Sequence, residues 1–451
     1  MASLDLSIVN VAFPALERAF PHDPRANLAW VLTGYAIVFG SLLVVAGRTA
    51  DRIGSRRVFF LGLGIFSFGS LLCAVAPSVL TLILGRVVQG VGAATLLPAS
   101  LSLLLASSTK ERRSQIVALW GGIGALAIAT GPSLGALLIT AFGWRAAFYV
   151  NLPVALVAVV VGRRVLQETR TTESTATPDF PGVLLLSSGL AMLVLAITEG
   201  PTWGWTSVRI LAAFAAALVL GTGFLSRSSR HHEPVLDLRL FRSRSFSVSN
   251  TVALIYSMGF FAMLLGNILF LTSVWRYSII QAGLSVTPGP LVVAVVSGPA
   301  GKLASRVGFR RVLMVGFSVF TVGLLWYDWR VGLDANYVTA WLPGTLIVGL
   351  GIGLTFPVIS AAAVSSLEAH RYAVGSAVNQ TARQVGGAIG VAILVVILGA
   401  PTGAAQALVH FRHLWWFVTS MAALAGVVAS LLSPHPSARS ANPAPTPAGV
   451  E

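Results

Sequence analysis

Gly47-Arg-Thr-Ala-Asp51-Arg-Ile-Gly54-Ser-Arg-Arg57 returns later in the same chain as Gly301-Lys-Leu-Ala-Ser305-Arg-Val-Gly308-Phe-Arg-Arg311. Aligned without gaps, Gly47/Gly301, Ala50/Ala304, Arg52/Arg306, Gly54/Gly308, Arg56/Arg310 and Arg57/Arg311 are identical, and Arg48/Lys302 and Ile53/Val307 are chemically equivalent. Each copy lies between long apolar runs. A basic loop repeated between membrane spans predicts two related halves. It also sets topology, because short Arg-rich loops stay on the cytoplasmic side.

Outward from this motif the class is plain. Hydrophobic residues make up 55% of the 451 residues and charged residues 10%, with a mean hydropathy of +0.83. A water-soluble domain of that size could not solvate such a surface. A net charge of +15 would suggest nucleic acid in a soluble protein, but here the basic residues cluster in alternate loops. Lysine occurs only at Lys110 and Lys302, an arginine bias that points to a GC-rich bacterial gene. The single cysteine, Cys73, excludes a disulfide framework and a Cys-based metal site. The seven histidines lie in loops or at span ends without metal-binding spacing.

A span needs about 20 apolar residues. The chain offers fourteen candidates, at 4–20, 29–49, 58–76, 79–106, 113–139, 146–162, 181–200, 208–226, 246–273, 281–301, 312–329, 338–366, 374–398 and 414–433. Of the 30 basic residues, 21 fall on the side of the repeated loop, 7 on the other, and Arg86 and Arg383 fall inside spans. This predicts an even number of spans with both termini in the cytoplasm. Trp144, Trp203, Trp205, Trp275, Trp341 and Trp415 sit near the external ends and read as an interfacial aromatic belt. Rich in Pro, Ala and Ser, the tail from 434 to 451 reads as disordered.

Several further stretches carry a resemblance. Leu4-Asp5-Leu-Ser-Ile-Val-Asn10-Val-Ala-Phe-Pro14, the Gly47–Arg57 loop, Arg86-Val-Val-Gln89-Gly90-Val-Gly92, Gly131-Pro132-Ser-Leu-Gly135-Ala136 and Trp144-Arg145-Ala-Ala-Phe148-Tyr-Val-Asn151 together resemble the major facilitator superfamily. Within it they resemble the fourteen-helix drug:proton antiporters. The resemblance implies an all-α membrane protein with 14 transmembrane helices arranged as 6+2+6. Its parts would be an N-terminal six-helix bundle at 1–165, an inserted two-helix hairpin with cytoplasmic linkers at 166–245 and a pseudo-symmetric C-terminal bundle at 246–433.

It also implies roles. Gly47, Asp51, Arg52, Gly54 and Arg56 would form a cytoplasmic gate holding the halves together; alternatively the arginines set topology and bind anionic headgroups. The chain departs from the family pattern at Thr49 and Ser55, and Ser305 replaces Asp51 in the second copy. Arg86 would take part in proton coupling, with Gln89, Gly90 and Gly92 packing beside it. A guanidinium in lipid should face a cavity or a partner, and the alternative is snorkelling to the cytoplasmic interface. Gly131, Pro132 and Gly135 would mark an antiporter, in a kinked, closely packed helix that seals the pathway against leakage, or form a generic packing face; Ala136 stands where the family has Gly.

Asp5 is a candidate proton or cation site. The stretch from Leu4 to Phe20 spans about 25 Å at 1.5 Å per residue, short of a core of roughly 30 Å. That predicts further apolar codons upstream of Met1, and with the present start it puts Asp5 at the water interface. Asn379, Gln380, Arg383 and Gln384 form a polar stripe that faces either a cavity or the cytoplasmic loop. Glu199 reads as interfacial.

The reading is proton-driven efflux of lipophilic, often cationic drugs or toxic small molecules by alternating access, in the cytoplasmic membrane of a bacterium. The protein would act as a monomer whose partners are its small-molecule substrate, protons and the bilayer, with no nucleic acid, no catalytic or metal-binding residue and no cofactor beyond the proton gradient. No nucleotide-binding loop is present in the sequence. The alternatives are an exporter of an endogenous metabolite such as a self-made antibiotic, and a non-transporting membrane scaffold.

Overall fold

A computed structural model describes residues 1–107, 113–168, 179–232, 234–365, 367 and 372–432. They form α1 (Ala2–Ala19), α2 (Arg25–Ile53), α3 (Ser55–Ala74), α4 (Val79–Ala106), α5 (Arg113–Phe142), α6 (Ala146–Tyr149), α7 (Asn151–Val165), α8 (Phe180–Trp203) and α9 (Val208–Arg230). After a 3-10 turn at Leu238–Arg242 follow α10 (Arg244–Ser273), α11 (Ile279–Val286), α12 (Pro288–Val307) and α13 (Phe309–Arg330). A π turn at Tyr337–Trp341 leads into α14 (Leu342–Ser365), then α15 (Tyr372–Leu398) and α16 (Ala404–Ala429).

The protein is all-helical, and among the described residues 12 helical segments are long and apolar enough to cross a membrane. Every one of the fourteen stretches read from hydropathy holds helix. The two that fall outside the twelve are α1, which carries Asp5, Glu17 and Arg18 in 18 residues, and α5, whose apolar part is described over Thr130–Phe142. Three stretches are jointed. The sixth breaks at Val150, the tenth at Thr287-Pro288, and the twelfth opens with the π turn. Proline at 288 has no N–H for the helical ladder. The last helix begins ten residues before its expected start at 414. Its first turns are amphipathic, with Ala407 and Phe411 buried and His410 hydrogen-bonded to the Leu398 carbonyl at 2.7 Å, so hydropathy alone does not register them.

Helices α1–α7 and α10–α16 repeat one packing pattern. α1 lies on α5 as α10 lies on α15, α3 on α4 as α13 on α14, and α2 on α4 as α12 on α14. Small residues set these approaches. A Cβ on Gly92 would come within 2.3 Å of the Phe66 nitrogen, and one on Gly390 within 2.0 Å of the Met258 carbonyl oxygen. Cys73 is enclosed between α3 and α4, its thiol directed at the Leu82 carbonyl (3.6 Å).

The aromatic belt reading fails for four of its six members. Trp144, Trp275, Trp341 and Trp415 are buried, and only Trp203 and Trp205 are exposed. Trp341 stacks on Phe270 (5.5 Å) and Tyr327 (4.8 Å), and Tyr327 also stacks on Trp415 (5.7 Å). These rings fill the space between α10, α13, α14 and α16. Their area is worth more buried against one another than at the headgroups.

α8 and α9 pair with each other and α8 rests on α2 and α15, leaving Leu184, Leu211, Leu218 and Val219 facing outward. Asp179 closes the base of this hairpin. Its carboxylate accepts from the Gly182 N–H (3.0 Å), Arg227 Nε (2.5 Å) and the Val235 N–H (3.4 Å). Burial pushes its pKa up, but the hydrogen bonds from Arg227 and Gly182 and the Arg227 charge outweigh that, holding it below the usual carboxylate value.

Candidate functional site

Asp5 and Arg86 meet inside the protein. Both side chains are fully shielded, and Arg86 Nη1 donates to Asp5 Oδ2 at 2.5 Å. The other carboxylate oxygen accepts from Gln89 Nε2 (2.8 Å) and Asn151 Nδ2 (3.0 Å). Ser70 Oγ accepts from the same two amides, at 2.7 and 3.1 Å. Arg86 also donates to Gln89 Oε1 (2.6 Å) and to the Val31 carbonyl (2.9 Å). Its guanidinium lies 4.1 Å from the centre of the Tyr35 ring. Five helices thus contribute: α1, α2, α3, α4 and α7.

Three expectations are corrected here. Asp5 is not at a water interface, because α4 and α7 supply donors to both of its oxygens. Arg86 does not snorkel: it is enclosed, and α4 runs back from the end of α3 remote from the repeated loop, so Arg86 lies in the part of α4 away from that loop. Gln89 is a hydrogen-bond partner of the carboxylate rather than packing alone. The packing role falls to Gly90, 3.1 Å from the Tyr35 carbonyl for a Cβ, and to Gly92 against α3. Asn151, Ser70 and Tyr35 were not singled out in the sequence. Asn151 lay within one of the quoted motifs, but Ser70 and Tyr35 carry no local signal.

The Gly131-Pro132-Gly135 stretch sets α5 against α1. A Cβ on Gly131 would meet Ser7 at 2.4 Å, and one on Gly135 would meet Ile8 at 3.1 Å. The residues just after Asp5 are thus fixed by this contact. Ala136 is fully buried and faces Gly283 of α11. A Cβ on Gly283 would lie 2.5 Å from the Ala136 Cβ and 2.6 Å from the Pro132 carbonyl oxygen. The extra methyl at 136 is therefore accommodated by a glycine on the other repeat.

The repeated loop has one geometry in both copies. Gly54 (φ 110°) and Gly308 (φ 96°) each end one helix and start the next, a conformation open to glycine. The surroundings differ. In the first copy the Arg56 N–H donates to Glu168 Oε1 (3.0 Å), Arg56 Nη2 to the Arg163 carbonyl (3.1 Å), and Arg57 lies 3.7 Å from Glu168. Gly47 leaves 3.5 Å between a Cβ and Pro98, and Arg52 is exposed. These contacts tie α3 to the end of α7 and the segment after it, within one repeat. The Asp51 side chain lies outside the described residues.

The polar stripe of α15 is buried rather than turned to the loop. Asn379 Nδ2 donates to Asn250 Oδ1 (3.2 Å), and Arg383 Nη2 to the Phe356 carbonyl (3.1 Å) and to Ser360 Oγ. Gln380 is half-buried. Thr381, outside the expected set, crosses to the first repeat and donates to the Gly40 carbonyl at 2.7 Å. Glu199, near the end of α8, is enclosed by its neighbours and has no hydrogen-bond partner among the described residues.

A helical membrane protein with two repeats of one packing pattern and a sealed ion pair in the first is the architecture of a membrane carrier. The profile of the Major Facilitator Superfamily matches residues 1–391 and again 250–450. The "Multidrug resistance protein B homolog" of Mycobacterium tuberculosis is 36% identical over 403 residues, 88% of this chain and 74% of that protein. The "Methylenomycin A resistance protein" of Streptomyces coelicolor is 32% identical over 400 residues, covering 88% and 83%. The "Tetracenomycin C resistance and export protein" of Streptomyces glaucescens is 30% identical over 405 residues, covering 89% and 74%. Among solved structures, an auto-inhibited POT family peptide transporter superposes with a TM-score of 0.66 at 16% identity, over 98% of this chain and 99% of that one, a likeness of fold alone. The chain belongs to the major facilitator superfamily and is a multi-pass membrane transporter.

Proposed function

We propose that this chain exports toxic lipophilic small molecules in exchange for protons, as one of the fourteen-span drug:proton antiporters. The observation that carries the reading is the enclosed Asp5–Arg86 pair. A carboxylate that holds a guanidinium inside the membrane is a proton switch: protonating Asp5 removes the charge that Arg86 needs, and the freed arginine must find another partner. Binding of a proton is thereby coupled to rearrangement of α1 against α4.

In this reading residues 1–165 and 246–433 form two six-helix bundles that rock about a central cavity, residues 166–245 add the α8–α9 hairpin, and α1 and α5 complete fourteen spans. The protein sits as a monomer in a bacterial cytoplasmic membrane with both termini inside. The names of the relatives, given for multidrug resistance and for resistance to methylenomycin A and tetracenomycin C, support export of toxic compounds. The two Streptomyces names favour a second reading, export of a self-made antibiotic.

A drug-susceptibility panel in an efflux-deficient host, followed by substrate-driven proton flux in proteoliposomes, tests the proposal. Resistance with proton flux that Asp5→Asn abolishes is the expected result, and transport indifferent to the proton gradient would overturn it. For topology, Ser229 is exposed in the last turn of α9, and ready labelling of Ser229→Cys from outside intact cells would reverse the orientation.

A further inference from the structure

The second repeat carries an intramembrane cation, Arg383, that has no counter-ion among the described residues. Arg383 is only 7% exposed in the middle of α15, yet no carboxylate pairs with it among the described residues. The sequence shows why: α10, α11, α12, α14, α15 and α16 contain no Asp or Glu at all, and the one acid of α13, Asp328, stands beside Trp329 and Arg330 at that helix's end. A guanidinium cannot shed its proton, and a charge left unpaired in low dielectric is strongly disfavoured. What surrounds it is neutral. Nη2 reaches the Phe356 carbonyl and Ser360 Oγ, and the guanidinium carbon lies 4.0 Å over the Phe356 ring. Nε and Nη1, which carry three of the five N–H groups of an arginine, donate to no described residue. Phe356 and Phe260, half-buried and 5.3 Å apart, continue as an apolar wall beside it. In the first repeat, by contrast, the interior carboxylate of Asp5 is already taken up by Arg86, Gln89 and Asn151, which leaves it poorly placed to hold a cationic substrate.

We infer that Arg383 is the substrate-recognition residue of this transporter and that the substrates are aromatic or lipophilic compounds bearing an acidic group, with the anion on Arg383 and the ring system along Phe356 and Phe260. This replaces the sequence expectation of often cationic drugs with an anionic class and rests on the export reading above. A carboxylate accepting from Nε and Nη1 would make the bidentate contact that arginine favours, while Nη2 keeps the guanidinium anchored to α14.

The test uses the full chain in inside-out vesicles under an imposed proton gradient. The probes are 2-naphthoate, its neutral isostere 2-naphthamide and the cation (2-naphthylmethyl)trimethylammonium. Wild type is expected to take up naphthoate at least about tenfold better than either of the others, as a charge-assisted contact implies. Arg383→Gln should bring naphthoate within about twofold of naphthamide, and wild-type yield of a monodisperse detergent-solubilised protein with an unshifted unfolding midpoint shows that the variant folds; Arg383→Lys, a point charge without the fork, should retain part of the preference. Preference for the ammonium probe, or a naphthoate preference that survives in Arg383→Gln, overturns the inference and leaves export standing. Uptake of none of the three, with no change in drug susceptibility of the host, overturns export itself and this inference with it.

Discussion

The two repeats share a packing plan and differ in charge. In the first, helix α5 presses Gly131 and Gly135 against α1; in the second, α15 presses Gly386 and Gly390 against α10. The pseudo-symmetric helices therefore approach each other at the same kind of contact. Yet the first repeat holds a cation and an anion sealed together at 2.5 Å, and the second holds a cation bonded only to neutral groups. The same difference recurs in the repeated loop, where Arg56 and Arg57 lie on Glu168 while Ser305, in the place of Asp51, turns to the Lys302 carbonyl at 2.8 Å. Shared small residues reproduce the scaffold. The ionisable residues, which packing does not dictate, divide the labour: a self-contained pair suits proton binding, and an unpaired charge suits a ligand.

The largest expected effect is at the sealed pair. Arg86→Ala leaves Asp5 buried without its counter-ion, which should cost about 3–5 kcal/mol of stability and abolish proton-driven export. Arg86→Lys should restore only part of the export. Thermal unfolding in detergent together with proton flux in proteoliposomes reads both; near-normal export by the alanine variant would remove the pair from the mechanism. The double variant Asp5→Asn/Arg86→Gln should recover much of the stability and none of the coupling.

Next come the helix contacts common to both repeats. Gly390→Ala drives a Cβ into a backbone carbonyl at 2.0 Å, and Gly131→Ala drives one into the Ser7 side chain at 2.4 Å. Each should destabilise by about 1–3 kcal/mol, Gly390→Ala the more because backbone cannot rotate aside. A Gly390→Ala variant that melts with wild type would show that the two halves are not packed alike.

A smaller effect separates the loop copies. Gly54→Ala and Gly308→Ala both place a side chain in a backbone region disfavoured by about 1–3 kcal/mol. Gly54→Ala additionally meets the Glu168 carboxylate at 2.3 Å and should disturb its contacts with Arg56 and Arg57. The unfolding midpoint of Gly54→Ala should therefore fall below that of Gly308→Ala, and equal midpoints would mean that Glu168 contributes nothing.

The smallest expected effect belongs to neither repeat and serves as a control. Asp179→Asn weakens the hairpin cap by about 1 kcal/mol. Because the folded-state pKa of Asp179 is lowered, its contribution is present above the ordinary carboxylate value near 4 and disappears as pH falls below it through the folded value. The stability gap between wild type and variant should shrink from pH 7 to pH 3. A gap that persists at pH 3 would assign the effect to shape rather than charge.

Span positions, the repeat and the Asp5, Arg86 and Gly131 motifs were legible in the chain because each leaves a local trace: an apolar run, a duplicated loop, a charge or proline where lipid should be. What joins them was not. Ser70 and Asn151 are 81 residues apart and meet only through the packing of α3 against α7. The tryptophans misled because position near a span end suggests the headgroups, whereas the side of the helix decides between lipid and core. Thr381, which bridges α15 to Gly40 of α2, looks in the sequence like any threonine in a membrane helix.

The burial of Cys73 has a practical side. It is the single cysteine of the sequence, wedged between α3 and α4 so closely that a Cβ on Gly85 would lie 2.7 Å from its sulfur. A thiol in that position is shielded from maleimides and methanethiosulfonates in the folded protein. The native chain is thus already a low-background host for reporter chemistry: a cysteine introduced at any exposed position becomes its one reactive handle, and fluorescent or spin labels can follow each repeat separately during turnover without first deleting a native residue.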